Sequence, residues 1–213
     1  MSNKDAFQFI KRKIKDPLGT LRIIRELIIG LSYSFYYCLI KRNAKIGLPF
    51  YAGYRVRIIG PGKVIIGKNC SVFPNLLEGL SIVTWSSDTR VFIADNCCFG
   101  GTTIRAKDKI EIGEGIITAN CLIQDRLIWH EREMQVEDYT QDCLLPREIN
   151  IGKNVWIGAM SYVMPGTRVE DDVVLSAGSL TYNMSIQAYS LAAGNPVYRP
   201  VRIDRIVGLT GQK

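Results

Sequence analysis

A six-residue hydrophobic period in the second half of the sequence limits the folds that this chain can adopt. An aliphatic residue recurs at every sixth position, at Ile151, Ile157, Val163, Val169 and Leu175. A period of six fits neither the 3.6-residue turn of an α-helix nor the alternation of a strand in a broad sheet. It fits a solenoid in which each hexad forms one short strand and one corner. Three hexads then close a triangular coil with the aliphatic side chains inside.

The predicted corners carry residues that tolerate tight turns. Gly, Asn and Asp follow the aliphatic positions in the segments IGKN, IADN and IGEG, as expected where the backbone needs a positive φ or a small side chain. Residues 56–189 then provide roughly six coils whose strands pair in parallel. The chain is therefore predicted to be mainly β, a parallel β-helix built as a hexapeptide solenoid.

One segment interrupts this period. Counted from Ile112, the coil returns to an interior position at His130, but residues 131–150 carry no six-residue pattern and the coil resumes at Ile151. A solenoid accommodates such an insertion as a loop that projects from a corner, and long loops in compact domains are usually functional. The single histidine of the chain therefore stands at the root of a predicted projecting loop.

The first 48 residues differ from the rest in charge. They hold ten Lys or Arg against three Asp or Glu, whereas the other 165 residues hold seventeen of each sign, so the net charge of +7 belongs to this segment. A neutral body excludes a protein that follows nucleic acid along a basic surface. We expect a basic helical arm at 1–48 and a β-helix domain at 49–213, with a C-terminal tail at 190–213.

Two helices are predicted in the arm. Phe7, Ile10 and Ile14 share a face of the first, and Asp16-Pro17 precedes the second, which runs from Thr20 to about Ile40. The apolar face of the second helix consists of Ile24, Leu27, Ile28, Leu31 and Phe35.

The role of that apolar face stays open at this point. The apolar run 28–40 is shorter than the roughly 20 residues that span a bilayer, so a transmembrane helix is not expected. The face is predicted either to lie on an anionic membrane or to pack on the body or on a neighbouring subunit.

The histidine and cysteine content argues against a metal site. One histidine and six cysteines without a CxxC spacing cannot form a common zinc site or a three-histidine centre within one subunit. Without a cleavable signal peptide, the thiols are expected to be reduced and the protein cytoplasmic. It would be peripheral on the inner face of the cytoplasmic membrane if the arm binds lipid.

The segment INIGKNVWIGAMSYVMPGTRVEDDVVLSAGSL (149–180), followed by AAGNP (192–196), resembles the hexapeptide-repeat acyltransferases of the maltose and galactoside O-acetyltransferase type. The resemblance extends over about residues 60–205. It implies a left-handed β-helix, a homotrimer, and acetyl-CoA bound as co-substrate between neighbouring subunits. The basic arm is similar to that of acetyltransferases of surface-polysaccharide biosynthesis.

The resemblance also implies roles for individual residues. His130 matches the catalytic histidine, and Arg199 and Arg202 match a basic pair that meets nucleotide phosphates, if one extra residue at Tyr198 is allowed. The other positions matched to the donor are Trp156, Gly158, Ala159, Ser176 and Ala177. The candidates for the acceptor side of the site are Trp129, Asp125 and Glu133.

These assignments have structural alternatives. Trp156 can equally be a packing residue, Arg199 and Arg202 can be solvated, Trp129 can cover the root of the loop, and His130 taken alone can be a solvated loop residue. If His130 is catalytic, its neutral imidazole takes the proton of the attacking acceptor. Corner amides would then stabilise the oxyanion.

The implied reaction is acetyl transfer to a hydroxyl of a carbohydrate, in the biosynthesis of a surface polysaccharide. Tyr182-Asn183 stand where a basic residue usually follows AGS, and FGGTT (99–103) stands where the galactoside type has an asparagine. The acceptor is therefore expected to differ from the simple sugars of that type. N-acetylation of a nucleotide-linked amino sugar and a non-catalytic trimeric scaffold stay open as alternatives.

Overall fold

The hexads form short strands that stack in parallel around an apolar interior. In the computed structural model, which describes residues 17–74, 79–127 and 147–203, the five aliphatic residues of the strict repeat are each at most 2% exposed. The small and β-branched residues between them, from Val155 to Ser179, are buried as well. The predicted parallel β-helix is confirmed, with about six coils.

The strands, numbered in chain order, belong to three sheets. Sheet A contains β1 (Ala44–Ile46), β4 (Lys63–Ile66), β7 (Arg90–Ile93), β10 (Lys109–Ile112), β13 (Ile149–Ile151), β16 (Arg168–Val169) and β19 (Ser185–Ile186). Sheet B contains β2 (Phe50–Ala52), β5 (Cys70–Val72), β8 (Cys98–Gly100), β11 (Ile117–Ala119), β14 (Trp156–Ile157), β17 (Val174–Leu175), β20 (Ser190–Ala192) and β21 (Val201–Arg202). Sheet C contains β3 (Val56–Ile59), β6 (Leu80–Thr84), β9 (Thr102–Ala106), β12 (Leu122–Gln124), β15 (Tyr162–Val163) and β18 (Leu180–Thr181).

The corner between sheets A and B has the turn chemistry that the sequence indicates. Asn96, Gly115 and Asn154 have φ values of +62°, +73° and +53°. The side chain of Asn154 also donates to Asp172 Oδ1 of the next coil at 3.2 Å. Side-chain amides therefore link successive coils along this corner.

The solenoid extends beyond its predicted limits at both ends. Strand β1 begins at Ala44, before the predicted division at residue 49, and pairs in parallel with β4. Strand β20 lies in the predicted tail 190–213 and continues sheet B. After the predicted loop the chain rejoins sheet A at Ile149, two residues earlier than the hexad count indicates.

The N-terminal helix α1 (Pro17–Phe35) continues into a π-helical turn at Tyr36–Lys41 and ends where Arg42 adopts a φ of +58°. The second predicted helix is therefore present, and it begins at Pro17, three residues before the predicted start at Thr20. The first predicted helix, with Phe7, Ile10 and Ile14, lies outside the described residues.

One face of α1 packs on the first coil. A Cβ atom on Gly30 would collide with the backbone carbonyl of Phe50, so the helix backbone touches β2 directly. Ser34 Oγ donates to Ile46 O at 2.9 Å, and the Tyr37 hydroxyl accepts the Ile58 N–H at 2.9 Å. These contacts cover the N-terminal end of the solenoid interior.

Most of the apolar face that the sequence predicts points away from the solenoid. Ile24, Ile28, Leu31 and Phe35 are 48% to 61% exposed, so these four residues do not pack on the chain's own body, whereas Leu27 of the same predicted face is half-buried. By length and composition alone, the helical segment Leu18–Lys41 is sufficient to cross a membrane. Buried core helices and signal sequences meet the same criterion.

Candidate functional site

Four of the residues matched to the donor, Gly158, Ala159, Ser176 and Ala177, meet at one corner of the solenoid, between sheets B and C. Gly158 and Ala159 connect β14 to β15, and the segment 176–178 connects β17 to β18 one coil further along. The Gly178 N–H donates to Ala159 O at 2.8 Å, and the Gly158 N–H donates to Leu175 O at 2.8 Å. We call these two stacked turns the B–C corner.

The backbone at the B–C corner is closely packed on one side and open on the other. A Cβ atom on Gly158 would lie 2.5 Å from Ala177 N, whereas a Cβ atom on Gly178 would meet nothing within 4 Å. Ala177 and Gly178 are exposed. Ser161 Oγ donates to Ser176 O at 2.9 Å and fixes the second turn. The corner therefore presents a closely packed surface of small residues with open space on its outer side.

Trp156 lies next to this corner on strand β14. Its side chain is 56% exposed on the outer side of sheet B, between Ile117 and Val174 on the neighbouring strands. It therefore does not pack in the interior of this chain. Its predicted contact with the donor stays a prediction.

The two matched arginines lie near the C-terminal edge of sheet B. Arg202 belongs to β21, which pairs antiparallel with β20, and its backbone lies opposite Ser190. The Arg199 guanidinium carbon lies 5.5 Å from the centroid of the Tyr198 ring, which is 81% exposed. Both arginines are exposed. Trp156 and Arg202 therefore lie on the same sheet, and the strands β17 and β20 separate their strands.

A groove of about 450 Å³ lies over sheet C and adjoins the B–C corner at Met160, which follows Ala159. Its lining residues are Gly101, Thr103, Arg105, Asn120, Cys121, Leu122, Met160 and Tyr162. Asn120 and Met160 turn the chain with φ values of +43° and +58°. Asn120 Oδ1 is buried and accepts no hydrogen bond from the described residues.

Sequence reasoning missed this groove. Its residues come from three coils, and the hexad pattern identifies only which residues point inward. One feature of the sequence could have indicated it. At the corner where other coils have Gly101 and Gly178, this coil has a residue other than glycine, Asn120.

The predicted projecting loop leaves and rejoins the solenoid at the end of sheet C. Asp125 directly follows β12, and its backbone oxygen accepts the Arg147 N–H at 2.8 Å on the return of the chain. The outward residue Leu122 of β12 lines the groove. The groove therefore lies over the same strand, β12, that the chain leaves to enter the predicted loop.

Asp125 has a structural environment that the sequence did not predict. It is fully buried, and its carboxylate accepts the Lys107 N–H at 2.8 Å and the Asp108 N–H at 2.7 Å. Burial raises the pKa of this carboxyl group from its ordinary 3.8 to about 6. Its predicted role on the acceptor side stays a prediction. The other loop candidates, Trp129, His130 and Glu133, lie outside the described residues.

No metal site is visible in the described part of the chain. Within 17–74, 79–127 and 147–203, no group of three or more His, Cys, Asp or Glu side chains is arranged to hold a metal ion.

Comparisons with known proteins agree with the repeat and the fold. The family "Bacterial transferase hexapeptide (six repeats)" matches residues 148–182, the segment that carries the resemblance noted from the sequence. A Saccharomyces cerevisiae (strain ATCC 204508 / S288c) protein, "Putative acetyltransferase YJL218W", is 27% identical over 82% of this chain and 66% of its own length. A Staphylococcus aureus (strain MRSA252) protein, "Putative acetyltransferase SAR2635", is 41% identical over 28% of this chain and 29% of its own length.

Solved structures show the same fold at low sequence identity. A variant of AntD, an N-acyltransferase from Bacillus cereus, crystallised with dTDP-4-amino-4,6-dideoxyglucose and coenzyme A, superimposes with a TM-score of 0.56. It is 19% identical, and the match covers 80% of this chain and 91% of that chain. The chain spans less than two thirds of the length of both curated relatives.

Proposed function

We propose that this protein is an acetyl-CoA-dependent O-acetyltransferase that acts on a hydroxyl of a carbohydrate acceptor in surface-polysaccharide biosynthesis. The observation that carries the proposal is the B–C corner. Its closely packed small residues lie within the hexapeptide segment 148–182 and beside a groove over sheet C, whose strand β12 precedes the segment that contains His130. The two curated relatives, both named as acetyltransferases, support the same reaction class.

The chain's own residues have separate roles in this proposal. Gly158, Ala159, Ser176 and Ala177 hold the donor along the B–C corner, where the space beside Gly178 is open. Arg202 and Arg199 meet its phosphates by charge-assisted hydrogen bonds. The bound acetyl-CoA supplies an acyl group already activated as a thioester.

His130 acts as the general base. A hydroxyl is a weak nucleophile at neutral pH, and a neutral imidazole removes its proton as it attacks. Trp129 and Glu133 line the acceptor side of the same loop. Backbone N–H groups of the corners stabilise the negative charge on the carbonyl oxygen. The active form is a cytoplasmic homotrimer in which two subunits border each donor site.

Calorimetric titration with acetyl-CoA tests the donor site without knowledge of the acceptor. We expect saturable binding in the micromolar range with near one site per chain. Ala177→Trp places a large side chain at the exposed B–C corner and should weaken binding at least about tenfold. Gln187→Trp adds the same side chain at an exposed position of the A–B corner and should leave binding unchanged.

Two outcomes would overturn the proposal. Absence of binding by the folded wild type would remove the donor and favour a non-catalytic scaffold. Transfer to amino sugars but not to hydroxyl acceptors would replace O-acetylation by N-acetylation. His130→Ala should retain acetyl-CoA binding while turnover falls by about 10²–10⁴, and unchanged turnover would refute its role as the base.

A further inference from the structure

The outer face of helix α1 is a continuous apolar stripe. It consists of Leu21, Ile24, Ile28, Leu31 and Phe35, and we refer to these five residues as the outer face. Each is 48% to 62% exposed, and their spacing of three and four residues places them on one side of the helix. Single exposed apolar residues are ordinary, but a contiguous stripe of this kind indicates a binding surface.

The opposite face of the helix fixes its orientation. Gly30, Ser34 and Tyr37 contact the first coil through a close backbone approach and two side-chain hydrogen bonds. A helix that crosses a bilayer is surrounded by lipid or by other membrane segments. Here one side is occupied by the solenoid, so crossing would require these contacts to break. The orientation that keeps them leaves only the outer face available to an apolar layer.

Charge indicates what the outer face binds. The net charge of +7 belongs to residues 1–48, which hold ten basic and three acidic residues. On the described helix, Arg25 is exposed beside the stripe, and Lys41 and Arg42 are exposed at its end. Arg22 is exposed as well but is paired with Glu26 at 2.8 Å. A second copy of the chain would bring an arm of the same charge against this one. A surface of anionic lipid headgroups offers the opposite charge together with an apolar layer.

We propose that helix α1 binds flat on an anionic lipid surface, with the outer face inserted at the level of the headgroups and the solenoid held on the aqueous side. This surface is separate from the B–C corner and does not depend on the proposed reaction. It would keep the groove of the enzyme close to an acceptor that is itself attached to lipid.

Vesicle flotation with the full-length protein tests the surface. The probes are phosphatidylcholine vesicles with and without phosphatidylglycerol. We expect the wild type to float only with the anionic vesicles, and less as salt increases, because screening weakens the attraction. Ile28→Ser with Phe35→Ser should reduce the vesicle-bound fraction at least about tenfold, because both apolar anchors are lost.

A matched control separates this surface from general loss of hydrophobicity. Ile65 and Phe92 are paired on the outer side of sheet A and are 44% and 45% exposed. Ile65→Ser with Phe92→Ser removes the same residue types from the solenoid and should leave flotation unchanged. Circular dichroism and native mass are measured for all variants, so that unfolded protein is recognised.

Three results would overturn the proposal. The first is flotation of the Ile28/Phe35 variant equal to wild type, or no flotation of the wild type with anionic vesicles. The second is that the wild type binds no vesicles and the Ile28/Phe35 variant has a lower native mass than the wild type. The outer face would then be an interface between copies. The third is resistance of the wild type to alkaline extraction from cell membranes, which would show that the helix spans them.

Discussion

Two glycines at the B–C corner are required for different physical reasons. Gly158 lies where any side chain would press on the backbone of Ser176 and Ala177 in the next coil. Gly178 has open space around it but holds a φ of +72°, in the left-handed region that L-residues with a Cβ atom disfavour. The first glycine is therefore needed for close packing and the second for backbone conformation.

These two causes predict different responses to substitution. Gly158→Ala should lower the free energy of unfolding by about 1–3 kcal/mol through steric strain. Gly178→Ala should lower it by about 1–2 kcal/mol through backbone strain alone. Gly178→Asn should recover much of that loss, because asparagine tolerates positive φ, whereas Gly158→Asn should be worse than Gly158→Ala. Urea unfolding of the four variants measures this, and equal effects of asparagine at both positions would contradict the distinction.

Asp125 gives the free energy of unfolding a pH dependence of known sign. Its pKa is about 6 in the folded chain, because of burial, against an ordinary 3.8. A group whose pKa is raised by folding contributes stability that is fully present below the lower value and is lost as the pH rises through the higher one. The contribution of Asp125 therefore decreases between pH 3.8 and about pH 6.

Comparison with Asp125→Asn isolates this contribution. As the pH rises through that interval, the free energy of unfolding of the wild type should decrease, relative to that of the variant, by on the order of 2–3 kcal/mol. Urea unfolding at several pH values measures the difference. A difference that is constant with pH, or that moves in favour of the wild type, would show that the Lys107 and Asp108 amides keep the carboxylate charged at low pH.

At the level of a single strand, neighbouring residues have opposite environments. Ile157 is fully buried, whereas Trp156 beside it on β14 is 56% exposed. The strand therefore separates interior packing from the proposed contact with the donor.

Substitution of these neighbours should separate stability from binding. Ile157→Ala leaves a cavity in the interior and should cost about 2–5 kcal/mol of unfolding free energy. Trp156→Ala should change that free energy by less than about 0.5 kcal/mol while it weakens acetyl-CoA binding. Thermal unfolding and calorimetry measure the two quantities. Unchanged binding together with lower stability of Trp156→Ala would assign the tryptophan to packing between subunits.

The hexad pattern predicted the strands well because the interior of the coil is where each aliphatic residue of the repeat is buried. Helix α1 was harder because it is apolar on two sides. Leu27 and Ile28 are adjacent in a single predicted face, but Leu27 is half-buried and Ile28 is exposed. A sequence shows that both are apolar. It does not show which of the two faces meets the solenoid, because that depends on where Gly30 permits the helix backbone to approach β2.

The candidate site also has a part that the sequence predicted and a part that it did not. The residues at 158–159 and 176–177 that are matched to the donor follow from a local motif, and they do lie on stacked turns. The groove depends on Arg105, Asn120 and Tyr162, which come together only through the stacking of coils. The burial of Asp125 also depends on contacts with the preceding coil, at Lys107 and Asp108.

For the whole molecule, the outward apolar residues of the solenoid predict association. Ile117 and Trp156 are 48% and 56% exposed on adjacent strands of sheet B. We expect a homotrimer with a mass of three times the 23.9 kDa chain, measured by sedimentation equilibrium. Trp156→Asp with Ile117→Asp should lower this mass if sheet B borders a neighbouring subunit, whereas Gln187→Asp should not. A monomeric wild type would contradict this prediction.

The ends of the solenoid bear on whether the molecule can polymerise into fibres. A stack of parallel strands exposes unpaired amides and carbonyls at each end, onto which another copy can add. Helix α1 packs on the first coil at one end. At the other end, β21 reverses direction against β20, and the Leu180 N–H donates to Gly194 O. At this end, sheets B and C therefore finish on strands and turns that a further parallel coil cannot continue.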